Sequence, residues 1–164
     1  MRTFFSLLFL SASVVLLSAC DSGGANSDEP ETPNYTRATV NRVTIQDMPF
    51  TASGGGGWDL TTGPDVYYVA FDGGNTQVAS SSGVYTDVSD NELPFVFSDA
   101  SFTIDNFAEE YQIDLYDLDA TTSDDFIGGI VFSLSGTGAT TDYPSTVFLS
   151  AGGIRMELDV TWSE

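Results

Sequence analysis

The segment YQIDLYDLDATTSDDFIGGIVFSL, residues 111–134, contains two apolar stretches on either side of an acidic loop. Apolar side chains occupy every second position in both stretches: Tyr111, Ile113 and Leu115 in the first, and Ile130, Phe132 and Leu134 in the second. An apolar period of two is typical of a strand with one buried face. The segment therefore predicts two neighbouring strands joined by DLDATTSDD, residues 117–125.

The same alternation recurs along the chain from about residue 35 onward. It is clearest in IRMELDVTW, residues 154–162, whose alternate apolar positions are Ile154, Met156, Leu158, Val160 and Trp162. Further strand candidates are ATVNRVTI (38–45), VYYVAF (66–71), NTQVA (75–79), FVFSDASFTI (95–104) and TVFLS (146–150). Gly, Pro, Asn and Asp separate these segments, and no window of about eleven residues favours a long amphipathic helix. About eight short strands predict an all-β fold, namely one β-sandwich.

The N-terminus has the pattern of an export signal. Arg2 supplies a positive charge, and FFSLLFLSASVVLL, residues 4–17, is continuously apolar. This run is shorter than the roughly 20 residues that cross a bilayer, which favours a cleaved signal peptide over a permanent membrane helix. LSAC, residues 17–20, resembles a bacterial lipobox, which implies cleavage before Cys20 and acylation of that cysteine. An ordinary secretion signal with a leftover cysteine is the alternative.

These features predict three segments. Residues 1–20 form a lipoprotein signal peptide and lipobox, and residues 21–35 form a flexible acidic linker without apolar periodicity. Residues 36–164 form the β-sandwich domain. Because an acylated Cys20 would tether the chain, we expect a cell-envelope protein that is lipid-anchored to a bacterial membrane, either periplasmic or surface-exposed.

The charge is strongly negative and excludes two classes of partner. The formal net charge is −20, with no lysine and no histidine, and only Arg37, Arg42 and Arg155 follow the apolar run. No basic patch can form, so binding of nucleic acid through its phosphates is excluded, as is attraction to anionic lipid through a polybasic surface. Proteins of salt-loving organisms have similar acidic, lysine-poor surfaces. The number of aspartates is therefore uninformative, and only their positions matter.

Acidic residues are concentrated in two predicted inter-strand loops. WDLTTGPD, residues 58–65, contributes Asp59 and Asp65, and the second loop contributes Asp117, Asp119 and Asp125. If both loops leave the same end of the sandwich, these carboxylates converge, and a bare pair 4 Å apart repels by about 4 kcal/mol at an effective dielectric constant of about 20. Ca²⁺ would relieve this repulsion, because it binds six to eight oxygen ligands on flexible loops.

Other metals and another calcium motif fit less well. Zinc and copper prefer histidine and thiolate ligands, which the predicted mature domain lacks, and magnesium is stricter about octahedral geometry. DLDATTSDDFIG is not an EF-hand loop, because Thr122 stands at the obligatory glycine position and Gly128 at the position of the final glutamate.

The two acidic loops resemble the calcium loops of C2 domains. In the first loop, Asp59 and Asp65 are six residues apart and precede an aromatic strand. In the second loop, Asp117 and Asp119 form an Asp-x-Asp motif, and Asp125 follows six residues after Asp119. An apolar pair and a glycine come directly after Asp125. The resemblance covers about residues 36–162. It implies an eight-stranded antiparallel β-sandwich in a circularly permuted order, with the outermost strand last. It also implies calcium ligands at Asp59, Asp65, Asp117, Asp119, Asp125 and Thr122.

In C2 domains, calcium typically recruits phospholipid while apolar loop tips enter the membrane. The resemblance makes Trp58 the candidate membrane contact, with a core position at a strand end as the alternative. The chain departs from the family pattern in two respects: Pro64 precedes Asp65 rather than following it, and the lysine-rich strand of some members is absent.

Two functional hypotheses follow. The first is a lipid-anchored calcium-binding C2-like module that docks to phospholipid or to an envelope protein. The second is a structural or adhesive envelope β-sandwich that binds protein or glycan, with calcium only stabilising the loops. An enzyme is not expected, because the chain lacks histidine, lysine and the GxSxG and phosphate-binding motifs.

Overall fold

Nine strands form in the computed structural model, which describes residues 33–52, 54–58, 62–99 and 101–164. They are β1 (Arg37–Asp47), β2 (Val66–Phe71), β3 (Gln77–Ser80), β4 (Phe95–Phe97), β5 (Phe102–Ile104), β6 (Tyr111–Asp117), β7 (Asp125–Phe132), β8 (Thr146–Ala151) and β9 (Ile154–Ser163). A 3-10 turn at Asp90–Glu92 and one short helix, α1 (Ala139–Asp142), complete the described elements. The predicted signal peptide, Cys20 and residues 21–32 of the predicted linker lie outside the described residues.

The strands build two antiparallel sheets. The first sheet has the order β4-β1-β9-β8, with β5 also paired to β1, and the second has the order β3-β2-β6-β7. The predicted all-β antiparallel sandwich is therefore confirmed. The segment predicted as one strand over residues 95–104 is divided into β4 and β5, which both pair with β1 at Ile45↔Phe95 and Ala38↔Ile104. Counted as one interrupted strand, they bring the total to the predicted eight.

The last strand is not at an edge. β9 pairs with β1 on one side, for example at Val43↔Leu158, and with β8 on the other, at Val147↔Leu158. The expectation that the outermost strand comes last is therefore wrong. The physical reason is backbone pairing: the turn at Gly152 and Gly153 places β9 beside β8, and the other side of this ten-residue strand pairs with β1.

The core lies between the two sheets and consists of the predicted inward positions. Burial follows the apolar alternation in three places: strand β6, strand β7 with the turn after it, and strand β9. The buried side chains are Tyr111, Ile113, Leu115, Ile130, Phe132, Leu134, Ile154, Met156, Leu158 and Val160. Trp162 is half-buried against the same core. Pro33–Glu164 form one compact unit around this core. None of the helices in the described part of the chain is long and apolar enough to cross a membrane.

Candidate functional site

Three acidic positions lie at one end of the second sheet. The first residue of β2, Val66, pairs with Asp117 at the end of β6, and Asp117 pairs on its other side with Asp125 at the start of β7. The loop before β2 and the loop after β6 therefore leave the same end of the sheet. Asp65, Asp117 and Asp125 are thus brought to this one end of the sheet.

Asp117 joins the two loops directly. Its side chain is buried, with 1% of its surface exposed. The backbone N–H of Asp65 donates to Asp117 Oδ1 at 2.5 Å, and the N–H of Leu118 donates to the Asp65 carbonyl oxygen at 2.8 Å. Hydrogen bonds to a carboxylate are among the stronger ones in proteins. These two bonds fix the position of Asp65 relative to the end of β6.

A third loop also reaches this end of the sandwich. The backbone N–H of Asp87 donates to Asp65 Oδ1 at 2.7 Å, and Asp87 adopts a left-handed backbone conformation with φ of 54°. Aspartate tolerates this conformation better than most side chains do. Asp87 was not among the predicted site residues, since the contact spans 22 residues and no motif marks it.

Asp124 closes the acidic loop. Its Oδ1 accepts the backbone N–H of Asp119 at 3.1 Å, and its Oδ2 accepts the hydroxyl of Tyr67 at 2.5 Å. Burial, together with this hydrogen bond to Asp124, raises the pKa of the Tyr67 hydroxyl well above its usual range, so the group remains a neutral donor. Asp124 was not among the predicted site residues. Its position beside Tyr67 shows that it links the loop to β2.

The remaining predicted ligands are less closely associated. Asp125 and Thr122 are exposed, and Asp59 lies outside the described residues. Within the residues that the structure describes, no group of three or more Asp, Glu, His or Cys side chains is arranged to hold a metal ion. The described acids are joined in two pairs, in each of which the backbone N–H of one residue donates to the carboxylate of the other: Asp65 to Asp117, and Asp119 to Asp124. The donor set consists of oxygen atoms alone, which suits a hard cation.

Trp58 is anchored to the body of the protein. Its side chain is half-buried and packs against the core, and its indole N–H donates to the Pro49 carbonyl oxygen at 3.0 Å. This geometry favours the core position that the sequence left as an alternative. The apolar side chains exposed at this end are Phe126, with 54% of its surface exposed, and Leu118, with 42%. Leu118 lies within the acidic loop and Phe126 directly follows it, so their positions in the sequence could have identified them.

The basic residues are on the other sheet. The described chain has three arginines, and each forms an ion pair: Arg37 with Asp105 at 2.6 Å, Arg42 with Asp159, and Arg155 with Asp47 at 3.2 Å. All three arginines belong to β1 or β9. The second sheet and the candidate site at its end therefore have no basic side chain in their strands.

The fold is that of C2 domains. A structure of a C2 domain aligns over 78% of this chain and 98% of its own, with 14% identity and a TM-score of 0.50. Human GIVD cytosolic phospholipase A2 aligns over 81% of this chain but only 17% of its own, with 17% identity and a TM-score of 0.53. The same human enzyme with an inhibitor and terbium chloride aligns over 78% of this chain and 18% of its own, with 15% identity and a TM-score of 0.51.

No family model matches the sequence. No curated protein matches it either. The structural likeness therefore defines the class of fold, a C2-like β-sandwich.

Proposed function

We propose that this protein is a lipid-anchored calcium-binding C2-like module of the bacterial cell envelope. In this proposal its calcium-loaded loops dock to phospholipid or to a protein partner. The observation that supports it best is the contact between Asp65 and Asp117, which holds two acidic loops together at one end of the sandwich. Asp125 stands opposite Asp117 on the neighbouring strand.

Calcium is the cation that this donor set fits best. The Asp87 N–H occupies one acceptor position of the Asp65 carboxylate, and a carboxylate has about four. Asp119, Asp125, Thr122 and Asp59 would supply further oxygen ligands. A terbium salt accompanies one structure of similar fold, and terbium is likewise a hard cation. In our proposal calcium draws the paired acids into one site.

Calcium would also provide the positive charge that the strands of the second sheet lack. Each described arginine is already paired with a carboxylate on the first sheet. An anionic headgroup could therefore be attracted to the second sheet only through a bound cation. Phe126 and Leu118, which are exposed beside the acidic loop, would contact the apolar part of a membrane.

The anchoring part of the proposal depends on the N-terminal sequence. Cleavage before Cys20 and its acylation would fix the chain to a membrane, and residues 21–35 would separate the folded unit from the surface. We propose a binding role rather than an enzymatic one, because the chain has no histidine or lysine. Human phospholipase A2 resembles this chain over only 17% of its own length.

Titration calorimetry with Ca²⁺ on residues 21–164, which retain the whole compact unit, tests the proposal. We expect saturable binding in the parent and its near-complete loss in the double variant Asp117→Asn with Asp119→Asn. The charge-matched control is Asp90→Asn with Asp142→Asn, two exposed acids outside the acidic loops, which should bind like the parent. Equal binding by both double variants would contradict the proposed site.

Vesicle co-sedimentation then separates the two functional hypotheses. Calcium-dependent, chelator-reversible binding to anionic vesicles supports docking to phospholipid. If calcium raises the melting temperature but the protein does not bind vesicles, the result supports the structural or adhesive envelope module, in which calcium only stabilises the loops.

A further inference from the structure

The outer face of the second sheet carries a row of aromatic rings. Tyr67 on β2 pairs with Tyr116 on β6, which pairs with Phe126 on β7. The ring centroids are 5.5 Å apart between Tyr67 and Tyr116 and 5.7 Å apart between Tyr116 and Phe126. Both tyrosines are half-buried, and Phe126 has 54% of its surface exposed. We call these three residues the aromatic row.

A carboxylate accepts a hydrogen bond from each tyrosine hydroxyl of the aromatic row. The Tyr67 hydroxyl donates to Asp124 Oδ2 at 2.5 Å, and the Tyr116 hydroxyl donates to Asp114 Oδ2 at 3.4 Å. Asp114 has only 5% of its surface exposed and also accepts the Gln112 amide at 2.8 and 3.0 Å. A phenol that donates to a carboxylate has a more electron-rich ring, which strengthens its attraction for a cation.

No positive charge in the surrounding strands balances this negative surface. Strands β2, β3, β6 and β7 contain neither lysine nor arginine. The arginines of the described chain lie on β1 and β9 and are paired there with Asp105, Asp159 and Asp47. The aromatic row therefore offers ring faces and carboxylates to a cationic partner, within a chain of net charge −20.

We propose that the aromatic row is a docking surface for arginine side chains of a polypeptide partner. A guanidinium group is planar, stacks on an aromatic face and donates two hydrogen bonds to a carboxylate. Phe126 provides the exposed ring face. Asp124 provides the carboxylate, since each of its oxygens retains an acceptor position after the bonds from Asp119 and Tyr67. This surface shares Phe126 and the acidic loop with the proposed calcium-dependent docking end, but the binding of arginine does not require the metal.

Calorimetric titration of residues 21–164 in EDTA tests the proposal. The probes are the peptide acetyl-Gly-Arg-Gly-Arg-Gly-amide, its lysine counterpart of equal charge, and a neutral glucose hexasaccharide. We expect the arginine peptide to bind most tightly. Phe126→Ala should weaken its binding roughly two- to five-fold, the size of an exposed cation–π contact. Asp124→Asn should also weaken it.

The matched control is Phe148→Ala, which removes a phenylalanine with 70% exposure on the outer face of the first sheet and should leave binding unchanged. Amide chemical shifts of the parent provide a test that needs no variant, because the arginine peptide should perturb residues 67, 116 and 126. Three outcomes would overturn the proposal: equal binding of the lysine peptide, equal effects of the two phenylalanine variants, or preference for the hexasaccharide.

Discussion

At the scale of single residues, the interior aspartates of β6 are explained by specific partners. Aspartate is depleted in strands, yet β6 contains Asp114 and Asp117, and both are buried. The Asp65 N–H donates to Asp117, and Gln112 and Tyr116 donate to Asp114. A buried charge is tolerated when donors solvate it. The sequence marked these residues as unusual and predicted that Asp65 and Asp117 converge, but it did not predict the hydrogen bond that joins them across 52 positions.

Asp99 gives a pH-dependent prediction at this scale. Its Oδ2 accepts the Ser82 hydroxyl at 2.5 Å, the Ser82 N–H at 2.6 Å and the Gly83 N–H at 2.7 Å. The hydrogen bond from the Ser82 hydroxyl is the main cause that lowers the pKa of Asp99 below its usual value. Because the folded pKa is lowered, the stabilisation is complete above the unfolded pKa of about 3.9 and is lost as the pH falls through the folded value.

We therefore expect Asp99→Asn to destabilise the protein at pH 7, by less than about 1 kcal/mol because the group is exposed. Urea unfolding of parent and variant at pH 7 and pH 3 measures the difference, which should shrink at the lower pH. An Asn variant as stable as the parent at pH 7 would show that these hydrogen bonds contribute nothing.

At the scale of strands, local alternation predicted most elements, and contacts between strands determined the rest. The predicted segment 66–71 is strand β2 as observed, and the predicted segment 154–162 is β9 to within one residue. The second strand of the opening segment begins at Asp125, one residue before its predicted start at residue 126, because Asp125 pairs with Asp117 across a bulge. Such pairing depends on the neighbouring strand and is not visible in a single segment.

Gly129 tests the pairing of β6 with β7. A Cβ atom at this position would lie 2.0 Å from Asp114 Oδ1 and 3.1 Å from the Ile113 carbonyl oxygen. Since Asp114 is buried and held by Gln112 and Tyr116, it has little freedom to move. We expect Gly129→Ala to lower the free energy of unfolding by roughly 1–3 kcal/mol, as overpacking does.

Urea denaturation of this variant is compared with that of Gly56→Ala. A Cβ at Gly56 meets no atom within 4 Å, and Gly56 does not adopt the left-handed conformation. The control should therefore remain within about 0.5 kcal/mol of the parent, as surface substitutions usually do. Equal stability of the two variants would mean that Asp114 is not packed against β7 as described.

At the scale of the whole molecule, charge separates into two kinds of surface. The first sheet carries three arginine ion pairs, whereas the strands of the second sheet carry no basic residue. With a net charge of −20 on 164 residues, self-repulsion opposes the compact state. Composition alone predicted this property, but not that the buried Asp114 and the aromatic row share one sheet.

Salt should therefore stabilise the protein. The Debye length falls from about 10 Å at 0.1 M to about 3 Å at 1 M, which screens repulsion between exposed carboxylates. We expect the melting temperature of residues 21–164, measured in EDTA, to rise by at least about 4 °C between 0.1 and 1 M NaCl. For a domain of this size, this shift corresponds to an increase of about 1 kcal/mol in the free energy of unfolding. An unchanged or lower melting temperature would show that self-repulsion is not a significant cost.

If the two acidic loops form one calcium site at the end of the second sheet, diffraction from crystals grown with Ca²⁺ will locate the ion there. We expect an anomalous peak at this end, with oxygens of Asp65 and Asp117 about 2.3–2.6 Å from the ion. The carboxylate of Asp59 should be a further ligand. A well-ordered site with water alone between Asp65 and Asp117, or a calcium ion bound only elsewhere, would show that the loops do not form this site.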